Sequence, residues 1–295
     1  MSMTCSKKLS RKIKTNLLGY SLILPMLIGF VIFTLLPLIS TIMGSMYIMD
    51  EYEWARYQDC FVGFQNFTKL FNDDKFIKSI GNTIYLMIGI PFGMTIAFIL
   101  ATILNSKYIK RKRPFLIIYY LPAVSSAIAI GIVWKWLFNA EYGLINNVFN
   151  LDIAWLSSPD VIKTTLIIKG VWGGFGGTLL LYFASMQNVP LELYEVADIE
   201  GANVLQKTFK ITIPLVNGTT FYILVTGVIG GLMAFADNYV VASGSSANTI
   251  IYYLYERMKN GEYGLVAAGS MIVFVALIIV TLLQFWINSK RNGVN

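Results

Sequence analysis

Long uncharged runs alternate along this chain with shorter polar connections. No Asp, Glu, Lys or Arg occurs from Leu17 to Ile48. Further apolar runs extend over about Ser79–Ser106, Pro114–Trp134, Thr164–Gln187, Leu215–Ala236 and Tyr263–Ile287. At 1.5 Å of rise per residue, about 20 residues cross the hydrocarbon core of a bilayer. The pattern therefore predicts an all-α membrane protein with about six transmembrane helices. The first run is too long for one straight crossing. It contains Pro25 and Pro37, and reads as one kinked or tilted helix with an extension.

Charge orients these spans. Lys7, Lys8, Arg11, Lys12 and Lys14 precede the first; Lys107, Lys110, Arg111, Lys112 and Arg113 follow the second; Lys290 and Arg291 follow the last. These are alternate connections, and the positive-inside rule places all of them in the cytoplasm, together with both termini and the 188–214 segment. The mixed-charge loops 49–78, 135–163 and 237–262 then lie outside. The expected organisation is a cytoplasmic basic N-terminus at 1–16, a six-helix transmembrane domain at 17–287 and a cytoplasmic tail at 288–295.

Composition narrows the chemistry. The chain has 295 residues, 56% apolar and 13% charged, and a net charge of +7. The aromatics sit mostly in apolar runs, which argues against a solvated nucleic-acid face. There is no histidine, and the two cysteines, Cys5 and Cys60, fall on opposite sides of the membrane in this topology. Zinc, haem and Ser-His or Cys-His chemistry lose their usual residues, and no cofactor is expected.

The 188–214 segment holds the most informative pattern. Pro190 suits a first helical position, and Glu192, Glu195, Asp198 and Glu200 crowd the stretch that follows. Glu195, Asp198 and Ala202 fall near one face by spacing. Gly201 permits a tight turn, and Leu205, Phe209 and Ile213 mark a second helical piece before Pro214. A short helix, a glycine turn and a second helix suit docking in a partner's groove. The same residues also suit an amphipathic linker lying on headgroups.

Glu195-Val196-Ala197, three residues, Gly201, nine residues, then Ile211-Thr212-Ile213-Pro214 resembles the EAA loop of permease subunits in binding-protein-dependent ABC importers. Glu200-Gly201-Ala202 is similar to the Asp-Gly-Ala of the carbohydrate (maltose/multiple-sugar) branch. Gly63, Asn66 and Phe67, Asn82-Thr83, Leu121-Pro122, Trp134, Gly143 with Asn146, Trp172 and Gln187–Pro190 also fall where those permeases have similar residues. Val196, Glu200 and Ile213 depart from the pattern. The Gly-Gly-Pro usual after the fifth span is replaced by Ala242-Ser243-Gly244-Ser245-Ser246. The resemblance implies a type I ABC importer permease fold in a bacterial plasma membrane. It implies an ATPase-coupling role for Glu195, Ala197, Asp198, Gly201 and Ala202, and no catalysis by the chain itself. The implied partners are a second homologous permease, cytoplasmic ATP-binding subunits and an extracytoplasmic solute-binding protein. No Gly-x4-Gly-Lys-Ser/Thr occurs, so the nucleotide's phosphate cradle is expected on another chain.

Other positions have simpler readings. Lys169, in the fourth span near its outer end, is expected to snorkel to the interface. Gly170, Gly173, Gly174, Gly176 and Gly177 are read as close helix packing, with a cavity-lining turn as the alternative. Trp134, Trp136 and Trp172 read as interfacial anchors and Asp237 as a solvated helix end. The rivals are the same permease type for a phosphorylated polyol or peptide, an ion-coupled secondary transporter, and a membrane-embedded enzyme. The second needs intramembrane carboxylates and the third a nucleophile–base pair; the spans offer neither.

Overall fold

The computed structural model describes residues 3–48, 61–106, 108–242 and 246–292, with side chains from 16 to 290 outside those gaps. Tyr52, Trp54, Tyr57 and Cys60, and the side chain of Cys5, lie outside the described residues. Among the described residues the regular secondary structure is helical, apart from one isolated antiparallel bridge, Tyr47 with Phe61. It divides into two units, Met1–Leu70 with Arg257–Ile272, and Phe71–Glu256 with Val273–Asn295.

In the first unit, α1 (Met3–Phe30) continues through a wide turn, Val31–Leu35, into α2 (Leu36–Gly44). The expected kink is instead a locally widened helix. Proline lacks an N–H and its ring crowds the carbonyl four residues earlier, here that of Phe33, so a wide turn just before Pro37 relieves the clash. The Leu36 N–H reaches back to the Val31 carbonyl. Asn16–Gly44 is apolar enough to cross a membrane, and none of its most apolar window is buried within the protein, as expected of a helix solvated by lipid or by another subunit. After it, the buried Asn66 on α3 (Gln65–Phe71) donates its amide to the carbonyls of Ser45 (3.0 Å) and Tyr47 (2.9 Å). That bond pins the chain where it leaves the span, a physical reason for Asn at this position.

The second unit begins at α4 (Asp74–Leu86), whose cap is Asp73, accepting from the Lys75 N–H at 2.8 Å. A short break leads to α5 (Gly89–Asn105), and the two together form one span. Next come α6 (Arg113–Val124) and α7 (Ala127–Leu137), which meet at 95°. The single third span expected from the sequence is thus broken. Pro122 sits one turn before the extended residue Ser125, whose N–H turns back to the Pro122 carbonyl. The loop after α7 folds as α8 (Leu144–Phe149) around Asn146, whose amide donates to Ala140 and Ile153 and whose oxygen accepts from Trp155 Nε1 at 2.7 Å.

The long α9 (Ile162–Gln187) is the centre of this unit. Ala97 and Ala101 of α5, one turn apart and fully buried, let α5 approach it closely over Leu179, Tyr182 and Met186. Gly176 does the same for α6, because a Cβ there would lie 2.0 Å from the Tyr119 carbonyl oxygen. The chain continues as α10 (Leu191–Ile199), α11 (Val204–Lys207), a wide turn at Thr208–Thr212 and α12 (Ile213–Leu215). That wide turn ends two residues before Pro214, as the first ends two before Pro37. A 67° bend leads to α13 (Asn217–Leu232), followed by α14 (Ala236–Val240). The last helices are α15 (Ile250–Lys259) and α16 (Tyr263–Asn292), each with residues in both units. Among the described residues four helices are long and apolar enough to span a membrane, and up to six spans result if each bent pair is one.

Candidate functional site

Two places hold the residues singled out above. The first is the 188–214 segment. α10 closes in a Schellman turn: the Ala202 N–H bonds the Ala197 carbonyl at 2.9 Å and the Gly201 N–H bonds that of Asp198 at 3.1 Å. Gly201 takes φ +75°, and a Cβ there would meet nothing within 4 Å. Glycine is required by backbone conformation, not by crowding, since a left-handed residue with a side chain costs about 1–2 kcal/mol. Asn203 and Gln206 then form a reciprocal capping box that starts α11. An ion pair between Lys207 and Asp198 ties the two helices, and a 2.9 Å hydrogen bond between Tyr194 and Thr212 ties α10 to the wide turn that follows α11.

Of the predicted residues, Glu195 and Asp198 lie exposed on α10, while Ala197 is buried on its inner side. Ala202 follows the turn and does not share the helix face that spacing assigned to it. What spacing missed is the tip: Ile199 is 87% exposed, with Leu191, Val196, Val204 and Leu205 also exposed. A cluster of bare aliphatic side chains beside acidic residues has the composition of a docking surface.

The second place is a cavity of about 470 Å³ within the second unit. Its walls come from α4, α5, α9, α13 and α14. Gly170 and Gly174 of α9 and Gly230 of α13 line it, and a Cβ at any of them would meet nothing within 4 Å. Their absent side chains keep the space open. The α9 glycines therefore divide, with Gly176 serving helix packing and Gly170 and Gly174 facing the cavity.

Lys169 and Asp237 overturn their sequence readings. Lys169 does not snorkel; it is buried and forms an ion pair with Asp237, itself a cavity-lining residue. A buried ammonium without a partner would be costly, and the carboxylate just past α13 supplies one. The two lie 68 positions apart, so local spacing carried no signal of their meeting. Trp134 also departs from the anchor reading, packing inside against Phe138 and edge-on to Trp172. Near the cavity's Asp237 end, Phe235, Tyr239, Tyr252 and Tyr255 form an aromatic group that the sequence reading did not single out. The side-chain hydrogen bond with Tyr239, with burial adding to it, raises the Tyr255 hydroxyl above the ordinary phenol value.

The stretch standing where Gly-Gly-Pro was expected is held by side chains. Asn82 donates to the carbonyls of Ser246 (2.8 Å) and Asn248 (3.0 Å), and Thr83 accepts from the Ile250 N–H (3.0 Å). Residues 243–245 lie outside the described residues.

The family described as "Binding-protein-dependent transport system inner membrane component" matches residues 81–293. The chain belongs to this family. The match takes in the whole 188–214 segment and every wall of the cavity. This permease is 31% identical over 288 residues to the probable ABC transporter permease protein YesP of Bacillus subtilis, covering 94% of this chain and 91% of that one. It is 30% identical over 280 residues to the arabinooligosaccharides transport system permease protein AraP of Bacillus subtilis, covering 91% and 88%. Its fold is similar to a chain of a bacterial alginate ABC transporter in complex with an alginate pentasaccharide-bound periplasmic protein, with a TM-score of 0.85 and 24% identity, covering 97% and 98%. That likeness is one of fold. The family makes the protein an inner membrane component of a transport system.

Proposed function

We propose that this permease forms half of the translocation pathway of an ATP-driven sugar importer. A second homologous permease would supply the other half, cytoplasmic ATP-binding subunits would dock on the 188–214 segment, and an extracytoplasmic binding protein would deliver the solute. Both termini, 1–16 and 288–295, would lie in the cytoplasm with that segment, as the basic flanks require. The observation carrying the reading is the α10 turn. It presents Ile199 and its aliphatic neighbours bare on a short rigid helix, with Gly201 closing the end. A linker resting on lipid has no need of a capped, ion-paired helix–turn–helix of this kind.

The mechanism follows from that geometry. Nucleotide-driven closure of two ATP-binding subunits would move α10 as a rigid knob. Through the Lys207–Asp198 and Tyr194–Thr212 contacts it would carry α11 to α13 along, and α13 forms one wall of the cavity. The cavity would then open alternately to either side, its volume within the range of small-ligand sites, roughly 300–1,000 Å³. The sugar assignment rests on the resemblance to the carbohydrate branch and on the AraP relative.

Uptake of radiolabelled arabinotriose and maltotriose by cells with and without the chain tests this reading. At least one sugar should lose uptake when the chain is removed. The uptake should persist when an ionophore collapses ion gradients with ATP maintained, and stop when ATP is depleted. Uptake that stops with the ionophore while ATP is maintained would instead support an ion-coupled transporter.

A further inference from the structure

We infer that Asp237 is the cavity's solute-contacting acceptor and Lys169 its positioning residue, so that this wall favours a neutral, hydroxyl-rich solute over an acidic one. The inference rests on the transport reading of the cavity and names the chemistry of its contact. Among the described residues lining the cavity, Asp237 is the one charged side chain. Its Oδ1 accepts from Lys169, and its Oδ2 carries no hydrogen bond among the described residues. The two ends of the pair are unequally exposed, the Lys169 side chain at 6% and that of Asp237 at 36%. The ammonium sits behind the wall and the carboxylate in front of it.

The threonine hydroxyls on the wall have committed their protons: Thr178 Oγ1 donates to the Gly174 carbonyl and Thr226 Oγ1 to that of Tyr222. The Asn238 amide gives one of its two N–H groups to the Ala247 carbonyl, and the residue is only 1% exposed. What the exposed part of the wall offers a solute is chiefly oxygen lone pairs. A wall of acceptors suits a solute rich in donors, and the hydroxyls of a sugar are donors. A solute carboxylate would meet the exposed anionic end of the pair first, with no cation on the wall to receive it. Lys169 fixes Oδ1 and thereby aims Oδ2; it does not itself line the cavity.

The test uses the complete transporter in membrane vesicles, with Cys5→Ser and Cys60→Ser, and Thr226→Cys as a reporter in the cavity wall. The rate at which N-ethylmaleimide labels the reporter is followed against added arabinotriose, maltotriose or an alginate trisaccharide. A neutral sugar should slow labelling. Asp237→Asn, read against its own sugar-free labelling rate, should raise the concentration needed at least tenfold. Lys169→Met should raise it similarly, and Lys169→Arg, which retains the counter-charge, should restore it to within threefold. A purely structural role for Lys169 would change the sugar-free rate instead. Unchanged protection in Asp237→Asn, or better protection by the alginate trisaccharide than by either neutral sugar, would overturn the inference. Should Asp237→Asn fail to assemble, Asp237→Glu carries the same comparison: weakened protection supports the inference and unchanged protection overturns it. If no sugar slows labelling with Asp237 and Lys169 intact, the transport reading of the cavity fails first, and the inference with it.

Discussion

Gly201→Arg is expected to leave the protein in the membrane and to lower coupled transport at least tenfold. Gly201 sits at φ +75° with open space around its missing Cβ. Inside the chain the substitution therefore costs only backbone strain, about 1–2 kcal/mol, too little to unfold a helical bundle. The larger effect would fall on the proposed docking, because a long charged side chain would project from the end of the helix that is proposed to enter the partner. Gly201→Asn is an instructive companion, since Asn tolerates the left-handed conformation and should retain the Schellman turn. It is expected to transport at a level between Arg and the native chain. Vesicle uptake, normalised to membrane abundance by immunoblot, measures all three. Native transport by the Arg variant would remove the α10 turn from the coupling path.

The second large effect concerns the Lys169–Asp237 pair. Asp237→Leu strands a lysine whose side chain is 6% exposed, whereas Lys169→Met strands a carboxylate that is 36% exposed and partly hydrated. Breaking a well-buried pair by removing one partner costs about 3–5 kcal/mol, and that range applies to Asp237→Leu. Lys169→Met should cost less, about 1–3 kcal/mol, the usual range for one unsatisfied polar group. The double variant Lys169→Met/Asp237→Leu removes both charges and should regain most of the lost stability, since hydrophobic replacement of a buried pair is often neutral. It should not regain transport. Thermal unfolding in detergent reads the stability, and vesicle uptake reads the function. Additive losses in the double variant would mean that the two side chains act independently.

The membrane fold was largely legible because it is written in hydropathy, which is local. The fourth and sixth spans fall within a few residues of the structure's Ile162–Gln187 and Tyr263–Lys290. The broken third span was less legible. Pro122 was visible, but hydropathy does not distinguish a bent helix pair from a straight one. The α10 turn was legible for the same reason as the spans: Gly201 and the acidic run lie within a dozen residues. Its exposed tip was not, because exposure of Ile199 depends on what the rest of the chain leaves uncovered. Lys169 was misread because its partner sits far away in sequence. Buried charges find partners through tertiary structure, and a single chain's spacing holds no record of such a pair. The cavity glycines were seen as a cluster, but only the neighbours of each, such as the Tyr119 carbonyl beside Gly176, separate packing from lining.

The most direct measurement is site-specific photo-cross-linking from Ile199 in native membranes, with Tyr108, on the connection between α5 and α6 proposed to lie on the same side, as the control position. Both side chains are exposed, at 87% and 83%, so access alone does not distinguish them. A photo-reactive residue at 199 should capture an ATP-binding subunit, with a yield that changes when ATP is added, and position 108 should capture little. Absence of any ATP-binding subunit cross-linked at 199, from vesicles that still transport, would rule out α10 as the docking helix.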